Sequence, residues 1–193
     1  MLVGVNTDAE RVQPDDRAAW RRWLAENHTV RTGVWLVTWR QGAGMPVLTY
    51  EDAVLEALAV GWVDSKGARL DETRTMLYFA PRRRGSSWSR PNKQRIERLR
   101  AEGLLRPAGE AAMRAAEMDG SWTRLDEVED LIVPPDLAEA LAATDGARAN
   151  WDAFPRSPRR AILEWIVLAK RPETRAARIR DAAEAAGRNE RAR

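Results

Sequence analysis

The chain has 193 residues, a length that fits one domain or one domain with a helical extension. It contains no cysteine, which excludes disulfides, thiolate nucleophiles and Cys-ligated metals. One histidine, His28, cannot build a multi-His metal site, so we expect neither a metal nor a cofactor. Nine tryptophans stand against two Tyr and two Phe, so Trp supplies most of the aromatic packing.

The net charge of +3 hides an uneven distribution along the chain. Residues 82–106 carry nine basic and two acidic side chains, residues 107–147 carry two basic and ten acidic ones, and residues 148–193 carry twelve and six. Two basic segments therefore flank an acidic one. This pattern indicates either internal charge balance or an anion-binding face.

The N-terminus lacks a basic segment followed by an apolar core, so it does not read as a signal peptide. The longest apolar stretches, residues 53–63 and 161–169, each contain a Glu and are too short to cross a bilayer. We therefore expect a cytoplasmic protein without a transmembrane segment.

The first part of the chain mixes helical and strand patterns, bounded by capping residues and glycines. In chain order, we predict a flexible tail over residues 1–13, a helix opened by Pro14-Asp15-Asp16 and ended at Asn27, a strand over 30–40, a helix from Thr49 to Gly61, a short strand or loop over 62–64, and a strand over 76–80.

The rest of the chain reads as helical. The predicted helices begin at Ser89 or Asn92, at Pro107, at Asp136, at Ser157-Pro158 and at Pro172, with a short segment anchored by Trp151 and Phe154. The fold class is therefore α+β, with a small antiparallel sheet packed by helices and followed by an all-helical C-terminal region. We expect an α+β core over 14–133, a helical region over 134–187 packed on that core, and a charged tail over 188–193.

The segment from Pro81 to Asn92 is the most informative for function. It leaves a strand, places four arginines around Trp88 and three serines, and enters a helix. Guanidinium groups bind carboxylate or phosphate through two parallel hydrogen bonds, and free N–H groups at a helix start also favour anions. The alternative is a structural loop in which Trp88 fills the core and Ser89 caps the helix.

Asp64 directly follows the apolar run Gly61-Trp62-Val63. A carboxylate buried without a partner is costly, so we expect an arginine of residues 82–84 close to it. The alternative is an exposed acid in a turn.

A third polar stretch, residues 169–179, joins two helices and contains Lys170, Thr174 and Arg175. Its charges suit an anion site, but favourable interactions with the helix dipoles explain them equally well.

These three stretches resemble, in this order, the YdeI/OmpD-associated family of bacteriocin-protection proteins. The motifs that carry the resemblance are Trp35-Leu36, Leu48-Thr49-Tyr50, Ala57-Leu58, Gly61-Trp62-Val63-Asp64, Pro81-Arg82, Ser87-Trp88-Ser89, Asn92, Gly103, Gly109, Ala116, Gly120-Ser121-Trp122, Pro134, Leu141, Ala169-Lys170, Glu173-Thr174-Arg175 and Arg178-Ile179. The resemblance covers residues 14–187 and implies a link to bacteriocin tolerance and envelope stress, without a defined reaction.

The leading hypothesis is a non-catalytic protein that binds an anionic small molecule or protein partner. The candidate ligand-binding residues are Trp62, Asp64, Arg82, Ser87, Trp88, Asn92, Lys170, Thr174 and Arg175. One alternative is an enzyme in which Asp64 acts as a base, although a carboxylate beside arginines stays ionised and weakly basic. Another is weak nucleic-acid binding by residues 82–106 and the basic C-terminus.

Overall fold

The computed structural model describes residues 9–192. The chain forms two compact units, an N-terminal unit that ends at Gly120 and a C-terminal unit that begins at Ser121. The Pro134–Pro135 step, the boundary suggested by the sequence, lies inside the C-terminal unit.

The N-terminal unit combines a four-stranded sheet with four helices among its described residues. Its elements are β1 (Arg11–Val12), α1 (Arg17–Asn27), β2 (Val34–Trp39), α2 (Tyr50–Ala59), β3 (Trp62–Arg69), β4 (Arg74–Pro81), α3 (Arg90–Ala101) and α4 (Pro107–Met118). This confirms the α+β prediction.

The strand order is β1-β2-β4-β3, and the pairs β2–β4 and β3–β4 are antiparallel. The predicted antiparallel sheet is therefore confirmed for these three strands, while β1 runs parallel to β2 and makes the sheet mixed. Strand β1 falls within residues 1–13, which the sequence suggests are a tail; residues 1–8 of that tail lie outside the described residues. Strand β3 extends to Arg69, beyond the short segment expected over 62–64.

Helix starts follow the sequence signals closely in the first half of the unit. The Asp16 carboxylate accepts the Ala19 N–H at 2.7 Å and caps α1, and the Thr49 hydroxyl accepts the Asp52 N–H at 3.1 Å and caps α2. Helix α2 ends before Gly61, which has a φ of +77° that glycine tolerates best.

Tryptophan dominates the core of the N-terminal unit. Trp20 is completely buried, stacks on Trp23 with 5.3 Å between ring centroids, and donates its indole N–H to the Ala53 carbonyl at 3.1 Å. Each polar edge of these rings needs a partner when it is buried, so the hydrogen bond fixes how α1 packs on α2.

Glu56 is a buried acid on α2, with only 6% of its surface exposed. Arg17 donates to it at 2.6 Å, and Arg21 donates to both of its oxygens at 2.7 Å. Burial opposes ionisation of the Glu56 carboxyl, but the arginine hydrogen bonds and charges outweigh it and hold its pKa below the ordinary value. These pairs join α1 to α2.

The described part of the C-terminal unit is helical, as predicted for this region. It contains α5 (Asp126–Glu129), α6 (Pro135–Ala143), α7 (Ala147–Ala153), α8 (Arg156–Val167) and α9 (Pro172–Gly187). Leu137, Trp151, Ile162 and Ile166 are among the residues of its own core. Across residues 9–192, the structure contains no helix with both the length and the apolarity to span a membrane.

Candidate functional site

Asp64 and Arg82 lie at the same end of the sheet because β3 and β4 form a hairpin. Trp62 pairs with Pro81 and Asp64 with Phe79, and the Arg82 N–H continues the ladder to the Gly61 carbonyl at 3.0 Å. The register shifts between Asp64 and Gly67, a β-bulge that interrupts the regular pairing of β3 with β4. Bulges of this kind commonly redirect side chains beside functional sites.

The Arg82 guanidinium lies over the indole of Trp88, with 3.7 Å from Cζ to the ring centroid. Its Nη2 donates to the Ser87 carbonyl at 3.0 Å and, at longer range, to the carbonyl and hydroxyl oxygens of Ser86 at 3.4 and 3.3 Å. These contacts orient the side chain and use one of its three nitrogens.

Arg82 is half-buried, and no carboxylate among residues 9–192 forms an ion pair with it. Burial lowers the pKa of the Arg82 guanidinium to about 10, and the negative charge of Asp64 offsets this only in part. Among residues 9–192, no hydrogen-bond partner faces Nε or Nη1 of Arg82, and neither atom is fully buried. Both nitrogens therefore keep some exposure to solvent and have a free donor.

Asp64 is half-buried, and its Oδ2 accepts a hydrogen bond from the Tyr50 hydroxyl at 3.0 Å. Burial and the neighbouring Asp64 carboxylate raise the pKa of Tyr50, so this hydroxyl remains protonated and acts as a donor. The arginine expected beside Asp64 is Arg82, which interacts with it through electrostatic attraction rather than through a direct ion pair.

The starts of α2 and α3 are joined beside Asp64 by Arg95. Its guanidinium binds the Glu51 carboxylate at 2.6–3.1 Å, and its Nη1 donates to the Asn92 side-chain carbonyl at 2.8 Å. Arg95 also lies 5.8 Å from the centre of the Tyr50 ring. The Glu51 contact holds the pKa of that carboxyl below its ordinary value, so Arg95 is already neutralised.

Trp62 and Trp88 are each 1% exposed. The Trp62 indole N–H donates to the His28 carbonyl at 3.1 Å, and its ring packs edge-on against Trp23. In these positions Trp62 supports the strand that carries Asp64, and Trp88 supports Arg82.

The remaining candidate residues lie on the C-terminal unit. Arg175, on α9, binds Asp136 through two hydrogen bonds of 2.7 and 2.9 Å, and this pair lowers the pKa of the Asp136 carboxyl. Lys170, just before α9, and Thr174 in its first turn are exposed.

The structure thus brings Asp64, Arg82, Trp88 and Asn92 into one region of the N-terminal unit, which we call the Arg82 site. Sequence reasoning did not assign roles to Tyr50 and Arg95 there. Tyr50 is the first residue of α2, and Arg95 lies about one turn into α3. Their place at the site could be predicted only if the sequence also showed that the starts of both helices lie near the hairpin.

The fold and this polar site define an α+β unit with a half-buried arginine, followed by a helical unit. Residues 12–112 match the family model described as Domain of unknown function (DUF8412), and residues 130–189 match the one described as Bacteriocin-protection, YdeI or OmpD-Associated. The first match spans more than half of the chain, so the protein belongs to that family, and its C-terminal region matches the model of YdeI or OmpD-associated proteins.

The second match confirms the family resemblance over the end of the chain. The motifs around Asp64 and Arg82 fall within the first match instead. Searches of curated proteins and of solved structures found no match to the chain.

Proposed function

We propose that the protein binds a small molecule or partner that carries a carboxylate or phosphate, with Arg82 as the receptor for that group. The observation that supports this most strongly is the half-buried Arg82 guanidinium without an ion-pair partner among residues 9–192. Its physiological setting would be bacteriocin tolerance, as the description of the matched C-terminal family suggests. The cysteine-free sequence favours the cytoplasm as its location.

A buried cation without a counter-ion is unfavourable, because the surrounding protein replaces its hydration incompletely. The lowered pKa of Arg82 reflects that cost. An oxyanion that accepts a hydrogen bond from Nε or Nη1 would supply the missing negative partner through a charge-assisted hydrogen bond. The contacts of Nη2 with Ser86 and Ser87 hold the group in place for such a ligand.

The neighbours of Arg82 also favour an anion. Arg83 and Arg84 are both exposed beside it, so a ligand approaches a locally positive surface. Asp64 attracts the Arg82 guanidinium electrostatically without a direct ion pair, and its Oδ2 accepts a hydrogen bond from Tyr50. Lys170 and Thr174 are exposed on the C-terminal unit and stay predictions, whereas the guanidinium of Arg175 is occupied by Asp136.

Binding is better supported than acid–base catalysis at this site. The nearby phenol of Tyr50 has a raised pKa, so it is a poor base at neutral pH. The carboxylate of Glu51 has a lowered pKa because of Arg95, so it is a weak base.

Nucleic-acid binding by the basic residues 82–106 is less well supported than binding of a small anion. Within residues 82–106, Arg95, Arg98 and Arg100 each form an ion pair with a glutamate of the same unit. These contacts fit the alternative of internal charge balance and reduce the charge available to phosphates of a polyanion.

The test is a calorimetric titration of the full chain with inorganic phosphate at constant ionic strength. Arg82→Gln removes the charge with little change in volume, and we expect at least a tenfold loss of affinity. Arg83→Gln is the matched control, since it removes a neighbouring exposed charge, and it should change the affinity less than twofold. Circular dichroism checks that both variants are folded.

Arg82→Lys provides a second variant that keeps the positive charge but loses the planar guanidinium and its fixed donor directions. Its affinity for phosphate should fall between that of the wild type and that of Arg82→Gln. The proposal is wrong if the wild type shows no saturable phosphate binding, or if the Arg82 and Arg83 variants weaken it equally.

A further inference from the structure

The N-terminal unit contains a second site, a cavity between the end of α1, the end of α2 and the start of α4. Its volume is about 500 Å³, within the range of roughly 300–1,000 Å³ typical of small-molecule sites. None of the residues of the Arg82 site lines it. Its lining includes Leu24, His28, Glu56, Val60, Leu104 and Arg106.

Apolar side chains form much of the cavity wall. Leu24 is 1% exposed and Val60 is 8% exposed, and Leu104 closes the side where α3 leads into α4. A wall of this kind favours the apolar body of a ligand, because the ligand and the wall both lose contact with water.

One charged group of the cavity is already neutralised. The Glu56 carboxylate is paired with Arg21, which also lines the cavity, and with Arg17. The lowered pKa of Glu56 agrees with a stable ion pair. Glu56 therefore contributes little net charge to a ligand in the cavity.

Two other polar groups remain available to a ligand. Arg106 is exposed, and its side chain makes no ion pair with residues 9–192; its backbone N–H is fixed by the Ala59 carbonyl at 2.9 Å. His28 Nδ1 lies 2.9 Å from the Leu24 carbonyl oxygen, which can only accept, so Nδ1 carries the hydrogen. The other ring nitrogen, Nε2, has no hydrogen-bond partner among residues 9–192. The cavity thus combines apolar walls with one uncompensated positive charge.

We propose that this cavity binds a small apolar carboxylic acid, with the hydrocarbon or aromatic body against Leu24, Val60 and Leu104 and the carboxylate on Arg106. This site is independent of the phosphate or carboxylate site at Arg82, since the two share no residue.

The test uses 2-naphthoate and its neutral isostere 2-naphthamide, titrated into the full chain by calorimetry. We expect 2-naphthoate to bind with a dissociation constant below about 1 mM, as the ordinary affinity per atom for a ligand of this size implies. Because only the acid can pair with Arg106, 2-naphthamide should bind more weakly.

Three variants locate the site. Arg106→Gln should weaken 2-naphthoate at least tenfold and leave 2-naphthamide within twofold, while the exposed control Arg114→Gln should change neither. Ala25 lies on the exposed side of α1 and lines the cavity, so Ala25→Trp should fill it and abolish binding of both probes without loss of helical circular dichroism.

The proposal is overturned if 2-naphthoate fails to bind to the wild type, or if Ala25→Trp binds it as well as the wild type does. Equal losses in Arg106→Gln and Arg114→Gln would also overturn it, since they would reveal a general charge effect. Loss of phosphate binding at Arg82 would leave all of these outcomes unchanged.

Discussion

Glu56→Gln tests whether the buried ion pairs between α1 and α2 stabilise the N-terminal unit. The substitution keeps the side-chain volume but removes the charge that accepts hydrogen bonds of 2.6, 2.7 and 2.7 Å from Arg17 and Arg21. A hydrogen bond to a charged group contributes about 1.5–3 kcal/mol. Three such bonds are lost, but the arginines are 33% and 45% exposed, so solvent recovers roughly half of their sum and we expect a loss of about 2–4 kcal/mol.

The free energy of unfolding is measured by urea denaturation followed by circular dichroism. Glu102→Gln is the control because Glu102 is partnered by Arg98 in an ion pair in which both side chains are about half exposed. Such a pair contributes only about 0.3–0.5 kcal/mol. A loss of less than about 0.5 kcal/mol in Glu56→Gln, or a gain, would refute the assignment of these pairs as stabilising.

The pH dependence of the free energy of unfolding provides a second test of the same ion pairs. The folded-state pKa of Glu56 is lowered, so its stabilising contribution is complete above the ordinary pKa of a glutamate and is lost as the pH falls through the folded-state value. The difference in stability between the wild type and Glu56→Gln should therefore shrink on acidification below that ordinary pKa. A difference that grows in acid would contradict the stated cause of the pKa shift.

Two further substitutions test local contacts. Arg175→Ala should raise the pKa of Asp136, which an NMR titration measures. It should also lower the free energy of unfolding by about 0.5–1 kcal/mol, because the pair is partly exposed. An unchanged pKa would show that the pair does not form. Gly109→Ala places a Cβ 2.4 Å from the Ala59 carbonyl oxygen and should lower the free energy of unfolding in urea by more than about 2 kcal/mol. In the control Gly67→Ala the nearest atom to the new Cβ is 4.0 Å away, so the change should stay within about 0.5 kcal/mol. Equal effects would contradict the close packing of α4 on α2.

Much of the fold follows from local signals in the sequence. Asp16 and Thr49 mark helix starts because each can accept a free N–H of the first turn, and both do so. Strand β1 was missed because two residues, Arg11 and Val12, give no alternating pattern; it forms only through pairing with β2.

The candidate site could be predicted only in part. Asp64 and Arg82 were identified because a charge next to an apolar run needs compensation, and the hairpin register places them on neighbouring strands. The hydroxyl of Tyr50 as the direct partner of Asp64 depends on where α2 begins relative to β3, which is a tertiary property. Likewise, the cavity at Arg106 depends on the packing of three helix ends that are distant in sequence.

The most direct test of the account is a crystal structure of the full chain grown with inorganic phosphate and compared with crystals grown without it. The account predicts phosphate density within hydrogen-bond distance of Nε or Nη1 of Arg82, with the guanidinium still over the Trp88 ring. A guanidinium that instead turns to form a direct ion pair with Asp64, with no phosphate bound, would contradict the claim that Arg82 is held for an external anion.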